Sequence, residues 1–376
     1  MRLPDSQLLA RRHRALLETL DALGLDALIV SSPINIRYLT NHTGTAGVLV
    51  ATPDAFHLLV DFRYQEAVRA TQATAAACPS LRLWQVPGSY DEALAGCLAE
   101  IGVRAVGFEA AHVAVARHQR LRRALETRGL VVALHPTERV VEQIRMVKDE
   151  FEMALLRDAA ARLGPVAEAA RAAVRAGVAE RDLARQIEVS LRDAGYERLA
   201  FDTIVASGPH SALPHYRAGD RVLARGDLVV LDFGGVLDGY CCDLTRTVTV
   251  GPSGPEAQRL HGAVLEAQQA AIAAVRPDIP ASLVDAAARQ VLEGYGLGAA
   301  FGHGTGHGLG LDVHEEPRIT RPRPDIPDVT LRPGMVFTIE PGAYLAGRGG
   351  VRIEDDVLVT PTGCEVLTHV TYELVL

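Results

Sequence analysis

The sequence predicts a two-domain α/β protein. The chain has 376 residues, which exceeds the usual size of one domain. Its first portion alternates helix-like and strand-like runs, a pattern typical of a small α/β domain. Around residues 141–148 this alternation ends, and a long alanine-rich amphipathic stretch begins at Asp149. We therefore expect one domain over residues 1–145 and a second over residues 146–376.

Within the first domain, two helical patterns and four apolar runs define the expected elements. The helical patterns run through Leu20 and to about Gly129. The apolar runs, which we interpret as strands, cover residues 27–30, 47–50, 56–60 and 105–108.

Charge and composition argue against several classes of protein. A formal net charge of -8 argues against a general nucleic-acid binder, because phosphate binding requires an excess of basic residues. No apolar stretch is long enough for a membrane span, and the first residues lack the apolar core of a secretion signal. Five cysteines, an odd number without metal-finger spacing, favour a reducing cytoplasm over a disulfide framework.

The second domain contains an internal repeat. Residues 223–234 and 331–342 match at a leucine, a glycine, an apolar strand, a terminal carboxylate and a closing glycine. The carboxylates are Asp232 and Glu340. Two related halves that meet face to face would bring these acids into one cleft, and chance similarity between short apolar strands is the alternative.

A hairpin after Asp232 is expected to bring a second acid close to the first. Asp238 and Gly239 form a strong two-residue turn signal between apolar runs. This turn places Asp232 opposite Thr245, so Asp243 becomes its diagonal neighbour on the same face, at roughly 7–8 Å. A divalent cation would relieve the repulsion between the two carboxylates. The alternative is a pair of solvated turn acids.

The glycine-rich segment over residues 301–317 supplies three histidines, His303, His307 and His314. Its glycine density disfavours a helix. A helical zinc motif is excluded because the glutamate after the first histidine is missing, and a nucleotide loop because its closing lysine and hydroxyl residue are missing. Imidazoles that bind metal or carry protons remain as the interpretation, although a single histidine would more often be structural.

The last candidate segment, residues 351–359, is predicted as one strand. Alternation places Arg352 and Glu354 on one face. We expect Glu354 to bridge metals while Arg352 orients a neighbouring carboxylate. A surface ion pair is the alternative.

Together these segments resemble the pita-bread metallopeptidases, which include prolidase, aminopeptidase P and methionine aminopeptidase, with creatinase as a metal-free relative. The resemblance covers nearly the whole chain. It rests on the DFG, DLTRT, GHGTGHGLGLDVHE, TIEPG and VRIEDD segments, in that order. It implies a creatinase-type N-terminal domain followed by a pseudo-symmetric pita-bread catalytic domain of the α+β type.

The resemblance also implies the site residues. Two divalent ions are expected on five ligands, which are Asp232, Asp243, His307, Glu340 and Glu354. Their mixed oxygen and nitrogen donors suit manganese, and the sequence leaves cobalt and zinc open. The Xaa-Pro members of the family carry three further histidines, which map to His215, His303 and His314.

The N-terminal domain narrows the choice within the family. Residues 33–40 and 61–64 resemble the creatinase-type domain, which methionine aminopeptidases generally lack. Creatinase shares this domain without the complete metal set. Retention of all five ligands therefore argues against an amidinohydrolase.

The implied reaction is hydrolysis of the bond between an N-terminal residue and a following proline. A metal-bridged water would attack the carbonyl, with Glu340 as proton acceptor and His215, His303 and His314 around the substrate. Arg37, in an N-terminal loop, is the leading candidate to bind the proline carboxylate, followed by Arg63.

The compact N-terminal portion favours an Xaa-Pro dipeptidase over an aminopeptidase P that acts on longer peptides. A noncatalytic peptide-binding protein of the same fold is the remote alternative. Short proline-containing peptides are the expected partners, and a homodimer is the expected assembly.

Overall fold

A computed structural model describes residues 1–324 and 328–375. The chain divides into two compact units, Arg2–Arg145 and Met146–Leu376, with Met1 grouped with the second. Within the described ranges, no helix combines the length and apolar character that a membrane crossing requires.

The Arg2–Arg145 unit contains six helices and six strands among its described residues. They are α1 (Ser6–Ala22), β1 (Ala27–Val30), α2 (Pro33–Thr40), β2 (Val48–Ala51), β3 (Phe56–Val60), α3 (Phe62–Gln72), β4 (Leu81–Gln85), α4 (Tyr90–Ile101), β5 (Ala105–Glu109), α5 (Val115–Thr127), β6 (Ala133–Thr137) and α6 (Val140–Arg145). The strands form one mixed sheet in the order β4-β3-β2-β1-β5-β6.

The four predicted N-terminal strands are confirmed as β1, β2, β3 and β5, with ends displaced by at most one residue. Their apolar side chains form the core of this unit together with those of α4 and α5. The predicted first helix is α1, which begins after Asp5, whose carboxylate accepts the amides of Gln7 and Leu8.

The Met146–Leu376 unit is larger. Its helices are α7 (Glu150–Ala173), α8 (Glu180–Asp193), α9 (Pro255–Ala274) and α10 (Ala281–Gly294), with short 3-10 helices at Gly208–Ala212 and Gly298–Ala300. Its first strands are β7 (Arg198–Leu199), β8 (Ile204–Ser207), β9 (Leu228–Phe233), β10 (Gly235–Leu237), β11 (Tyr240–Cys241) and β12 (Leu244–Thr249). The later strands are β13 (Gly306–Gly308), β14 (Glu315–Ile319), β15 (Val336–Ile339), β16 (Gly342–Leu345), β17 (Gly349–Arg352), β18 (Asp355–Val359) and β19 (Cys364–Val366).

This unit consists of two halves of similar construction. In the first half, α7 and α8 pack against a sheet in the order β12-β9-β8. In the second half, α9 and α10 pack against a sheet in the order β14-β13-β15-β18-β19. The repeated segments form β9 and β15, each of which has a neighbouring strand on both sides. The structure therefore gives Asp232 and Glu340 related positions in the two halves.

The alanine-rich stretch forms α7, as predicted. Asp149 and Glu152 make a capping box, in which each side chain accepts the backbone amide of the other. The helix ends at Ala173.

Candidate metal centre

A cavity of about 640 Å³ opens in the Met146–Leu376 unit. Acidic, imidazole and guanidinium side chains line it together. All nine site residues predicted for this unit line the cavity, namely His215, Asp232, Asp243, His303, His307, His314, Glu340, Arg352 and Glu354.

The first two acids come from the predicted hairpin. Strands β9 and β12 pair antiparallel with Asp232 opposite Thr245, which confirms the predicted register. Asp238 (φ 47°) and Gly239 (φ 82°) form the turn with two left-handed residues, as a two-residue hairpin of this type requires. Asp243 lies two residues before Thr245, and both carboxylates reach the cavity.

Strand β13 presents His307 from the glycine-rich segment. A Cβ atom on Gly306 would lie 1.8 Å from the carbonyl oxygen of Thr338, so only glycine fits this close strand contact. The Nδ1 atom of His307 hydrogen-bonds the Gly308 carbonyl at 3.1 Å. Its Nε2 atom lies 3.6 Å from a Glu340 carboxylate oxygen. The backbone bond therefore leaves Nε2 as the nitrogen available to a metal.

Replacing Gly306 with alanine is expected to destabilise the protein by about 3 kcal/mol and to weaken metal binding, because the added methyl forces β13 away from β15. Denaturant unfolding and a metal titration measure the two effects. Gly302→Ala is the matched control, since its added Cβ would meet no atom within 4 Å among the described residues other than its chain neighbours. Equal stability and metal affinity in the two variants would contradict the prediction.

Glu354 lies between two strands rather than within one. The sequence predicted one strand over residues 351–359, and this prediction is wrong because β17 ends at Arg352 and β18 begins at Asp355. The Glu354 amide donates instead to the carbonyl of Thr245 at 3.1 Å. At this point the chain passes from β17, which pairs with β16, to β18, which pairs with β15 and β19. Arg352 and Glu354 still both face the cavity.

The buried acids of the cavity are suited to a cation. Within the described ranges, one oxygen each of Asp232, Asp243 and Glu354 is buried without a hydrogen-bond partner. Asp243, His307 and Glu354 offer ligand atoms within 4.8 Å of one another.

Burial, followed by repulsion from neighbouring acids, raises the pKa of Asp243 and Glu354 well above the ordinary value. Burial raises the pKa of Glu340 to about 8 and lowers that of His307 to about 3. A divalent cation would stabilise the ionised acids and accept the neutral imidazole.

Arg352 links an acid to one of the histidines. Its Nη2 donates to Asp232 Oδ2 at 2.5 Å, and its Nη1 donates to the Tyr344 hydroxyl at 2.9 Å. That hydroxyl lies 3.0 Å from Nε2 of His303, whose Nδ1 faces the Gly304 carbonyl at 2.8 Å. Because Nδ1 must carry a proton to bond a carbonyl, Nε2 accepts from Tyr344 in the neutral ring. Burial lowers the pKa of His303 to about 4, which keeps the ring neutral.

The other two predicted histidines lie on the cavity wall. His215 is exposed, in the loop that follows the 3-10 helix Gly208–Ala212. His314 immediately precedes β14, and its ring centroid lies 4.4 Å from that of His307. His314 can therefore reach a group held at the metal centre.

The two predicted N-terminal arginines belong to the Arg2–Arg145 unit. Arg37 was expected in a loop, but it lies in α2, because Ser32 caps this helix and Pro33 occupies its first turn. Arg63 lies in α3 and forms a bidentate ion pair with Asp61, with both hydrogen bonds at 2.8 Å.

Three residues that the sequence did not indicate as site residues surround the predicted ones. The Thr245 hydroxyl donates to Glu354 at 2.6 Å. Tyr344 joins Arg352 to His303, and Arg318 lines the cavity opposite His307 in the β13–β14 ladder. The hairpin register already placed Thr245 beside the acids, whereas no sequence pattern indicated Tyr344 or Arg318.

The fold and this cavity define a two-domain protein with a candidate divalent-metal centre in its second domain. Residues 154–361 match the model of metallopeptidase family M24, and residues 12–147 match the creatinase/prolidase N-terminal domain. The chain belongs to metallopeptidase family M24. The predicted family and the predicted pita-bread fold with a creatinase-type domain are thereby confirmed.

Similar proteins match over nearly their whole length. An Xaa-Pro dipeptidase of Pyrococcus horikoshii is 32% identical over 96% of this chain and 98% of its own. The structure of an Xaa-Pro dipeptidase from Bacillus anthracis has a TM-score of 0.91 at 34% identity, covering 98% of this chain and 100% of its own. An X-Pro aminopeptidase from Thermotoga maritima has a TM-score of 0.85 at 32% identity, with 97% and 100% covered.

Proposed function

We propose that the protein hydrolyses the bond between an N-terminal residue and a following proline, as a metal-dependent Xaa-Pro dipeptidase. The observation that supports this most directly is the cluster of buried acids and a neutral imidazole in a cavity of a family M24 domain. Loss of Ala-Pro hydrolysis on chelation, and its return with a divalent metal, is the primary test.

The proposed ligands for two divalent ions are Asp232, Asp243, His307, Glu340 and Glu354. The unpartnered oxygens of Asp232, Asp243 and Glu354 support this assignment. Four carboxylates and one imidazole form a donor set that suits manganese, which we propose as the native metal.

A bound metal pair supplies Lewis-acid activation of a water and of the scissile carbonyl. Glu340 is proposed to accept the proton of the attacking water, because its carboxylate lines the cavity 3.6 Å from Nε2 of the proposed ligand His307. His303 and His314 are proposed to hydrogen-bond the substrate, while His215 shapes the proline side. Arg352 orients Asp232 and, through Tyr344, the ring of His303.

Selection of dipeptides requires a cation for the free proline carboxylate. Arg318 lines the cavity and is the cross-strand partner of His307 in the β13–β14 ladder. We therefore propose Arg318, in addition to Arg37, as a carboxylate-binding residue. Arg318→Met is expected to raise the KM for Ala-Pro about 10- to 100-fold, as loss of a charge-assisted hydrogen bond implies. Hydrolysis of Ala-Pro-Ala should change much less. Steady-state kinetics with both peptides measures the difference.

Arg37→Met in the same assay tests the N-terminal candidate. An equal loss on both peptides in both variants would contradict a role in carboxylate selection. Preference of the unmodified enzyme for Ala-Pro-Ala would instead support the alternative, an aminopeptidase P. Absence of hydrolysis with metal bound would support a noncatalytic peptide-binding protein.

We also propose a cytoplasmic location and a homodimer. All five cysteines are free thiols, as a reducing compartment favours. Size-exclusion chromatography with light scattering tests the dimer.

A further inference from the structure

Lys148 is the only lysine in a chain with 38 basic residues. Its side chain is 1% exposed, and the ammonium lies 3.1 Å from Oε2 of Glu315, whose side chain is 7% exposed. Burial of a charged group is costly unless an opposite charge pairs with it closely. The side chain that provides this charge immediately follows His314.

The Glu315 carboxylate also contacts the chain segment that precedes His314. Its Oε1 accepts the amide of Asp312 at 2.8 Å. A Cβ atom on Gly310 would lie 2.8 Å from the same oxygen, so the carboxylate is packed tightly against the backbone there. The Gly310 carbonyl in turn accepts the amide of Cys241 at 2.7 Å. The Glu315 carboxylate and the Cys241 amide therefore both hold the segment that precedes His314.

The Glu315 carboxylate is itself held by its ion pair with the Lys148 ammonium. The backbone of Lys148 is separately attached, since its amide donates to the Gly334 carbonyl at 2.8 Å. Val147 forms an isolated bridge with Met335. The backbone contacts thus fix the position of Lys148 in the chain, and its side chain pairs with Glu315.

We infer that Lys148 is a positioning residue, which fixes Glu315 and thereby the segment that presents His314 beside His307. The inference rests on the proposed function for the role of His314 in catalysis. A compact ammonium suits this enclosed place, whereas the chain uses the larger guanidinium at its other basic positions.

The first test needs no assay of activity. Because Lys148 is the only lysine, an amine-acylating reagent can label only this side chain and the amino terminus. The metal-loaded protein is expected to acquire one label, and Glu315→Gln is expected to label at Lys148 at least tenfold faster, as read by peptide mass spectrometry. Labelling of Lys148 in the unmodified protein as fast as in the unfolded chain would overturn the inference. This result is independent of the substrate.

The second test separates positioning from a merely structural role. Lys148→Met and Glu315→Gln are each expected to lower kcat/KM for Ala-Pro about 10- to 100-fold with the metal content unchanged. The Lys148→Met/His314→Ala double variant should be no slower than His314→Ala alone, because nothing remains to be positioned. Multiplication of the two effects would overturn the inference.

Arg157→Met is the matched control. Arg157 forms an ion pair with Glu365 at 2.6 Å between α7 and β19, and both side chains are substantially exposed. This variant should retain wild-type kinetics. Absence of hydrolysis by the unmodified enzyme would remove the proposed function, while the labelling result would still report on the Lys148–Glu315 pair.

Discussion

Replacing Asp243 with alanine is expected to abolish metal binding and Ala-Pro hydrolysis together, with kcat/KM lowered on the order of 10³-fold or more. Asp243 has one buried oxygen without a hydrogen-bond partner among the described residues, and it lies in the cluster with His307 and Glu354. Metal activation contributes several kcal/mol to such reactions, and each 1.4 kcal/mol is about tenfold in rate. Elemental analysis of the purified variant and a dipeptide assay measure the two losses.

Asp220→Ala serves as the control for this variant. Asp220 is an acid of the same domain, 80% exposed and paired with Arg181, so its removal should leave metal content and turnover unchanged. Full turnover by a demonstrably metal-free Asp243→Ala protein would refute the proposed centre.

Replacing His314 with alanine is expected to lower kcat about 10²-fold while most of the metal stays bound, because general acid–base and hydrogen-bonding groups contribute effects of this size. The ring lies 4.4 Å from that of His307, and His314 is not one of the five proposed ligands. Turnover and metal content of the same preparation check both parts.

His314→Gln provides the companion variant, since an amide can still donate one hydrogen bond. It should retain more activity than His314→Ala if the ring acts by hydrogen bonding. Loss of both metals from either variant would contradict the assignment of His314 as a substrate-side residue.

Local pairing was the part of the site that the sequence could predict. A two-residue turn fixes register, so Asp238 and Gly239 alone determined that Asp232 lies opposite Thr245. The internal repeat likewise placed Asp232 and Glu340 at related positions. In both cases the information lies within a short segment, where backbone geometry leaves few alternatives.

Long-range partners could not be predicted in this way. The break between Arg352 and Asp355 arises because Glu354 bonds the backbone of Thr245, which is more than a hundred residues away. Tyr344 acquires its role only through contacts with Arg352 and His303, which no spacing along the chain reveals.

Arg37 was expected in a loop, although a serine cap and a proline in the first turn are local helix signals that could have corrected this.

The division of the proposed ligands between the two halves has a mechanical consequence. Asp232 and Asp243 come from the first half, and His307, Glu340 and Glu354 come from the second. Neither half carries enough donors to coordinate two ions alone. Bound metal would therefore link the two halves and stabilise their association. Substitutions at the boundary between the halves are then expected to weaken metal binding and lower activity, even though all five ligands are retained.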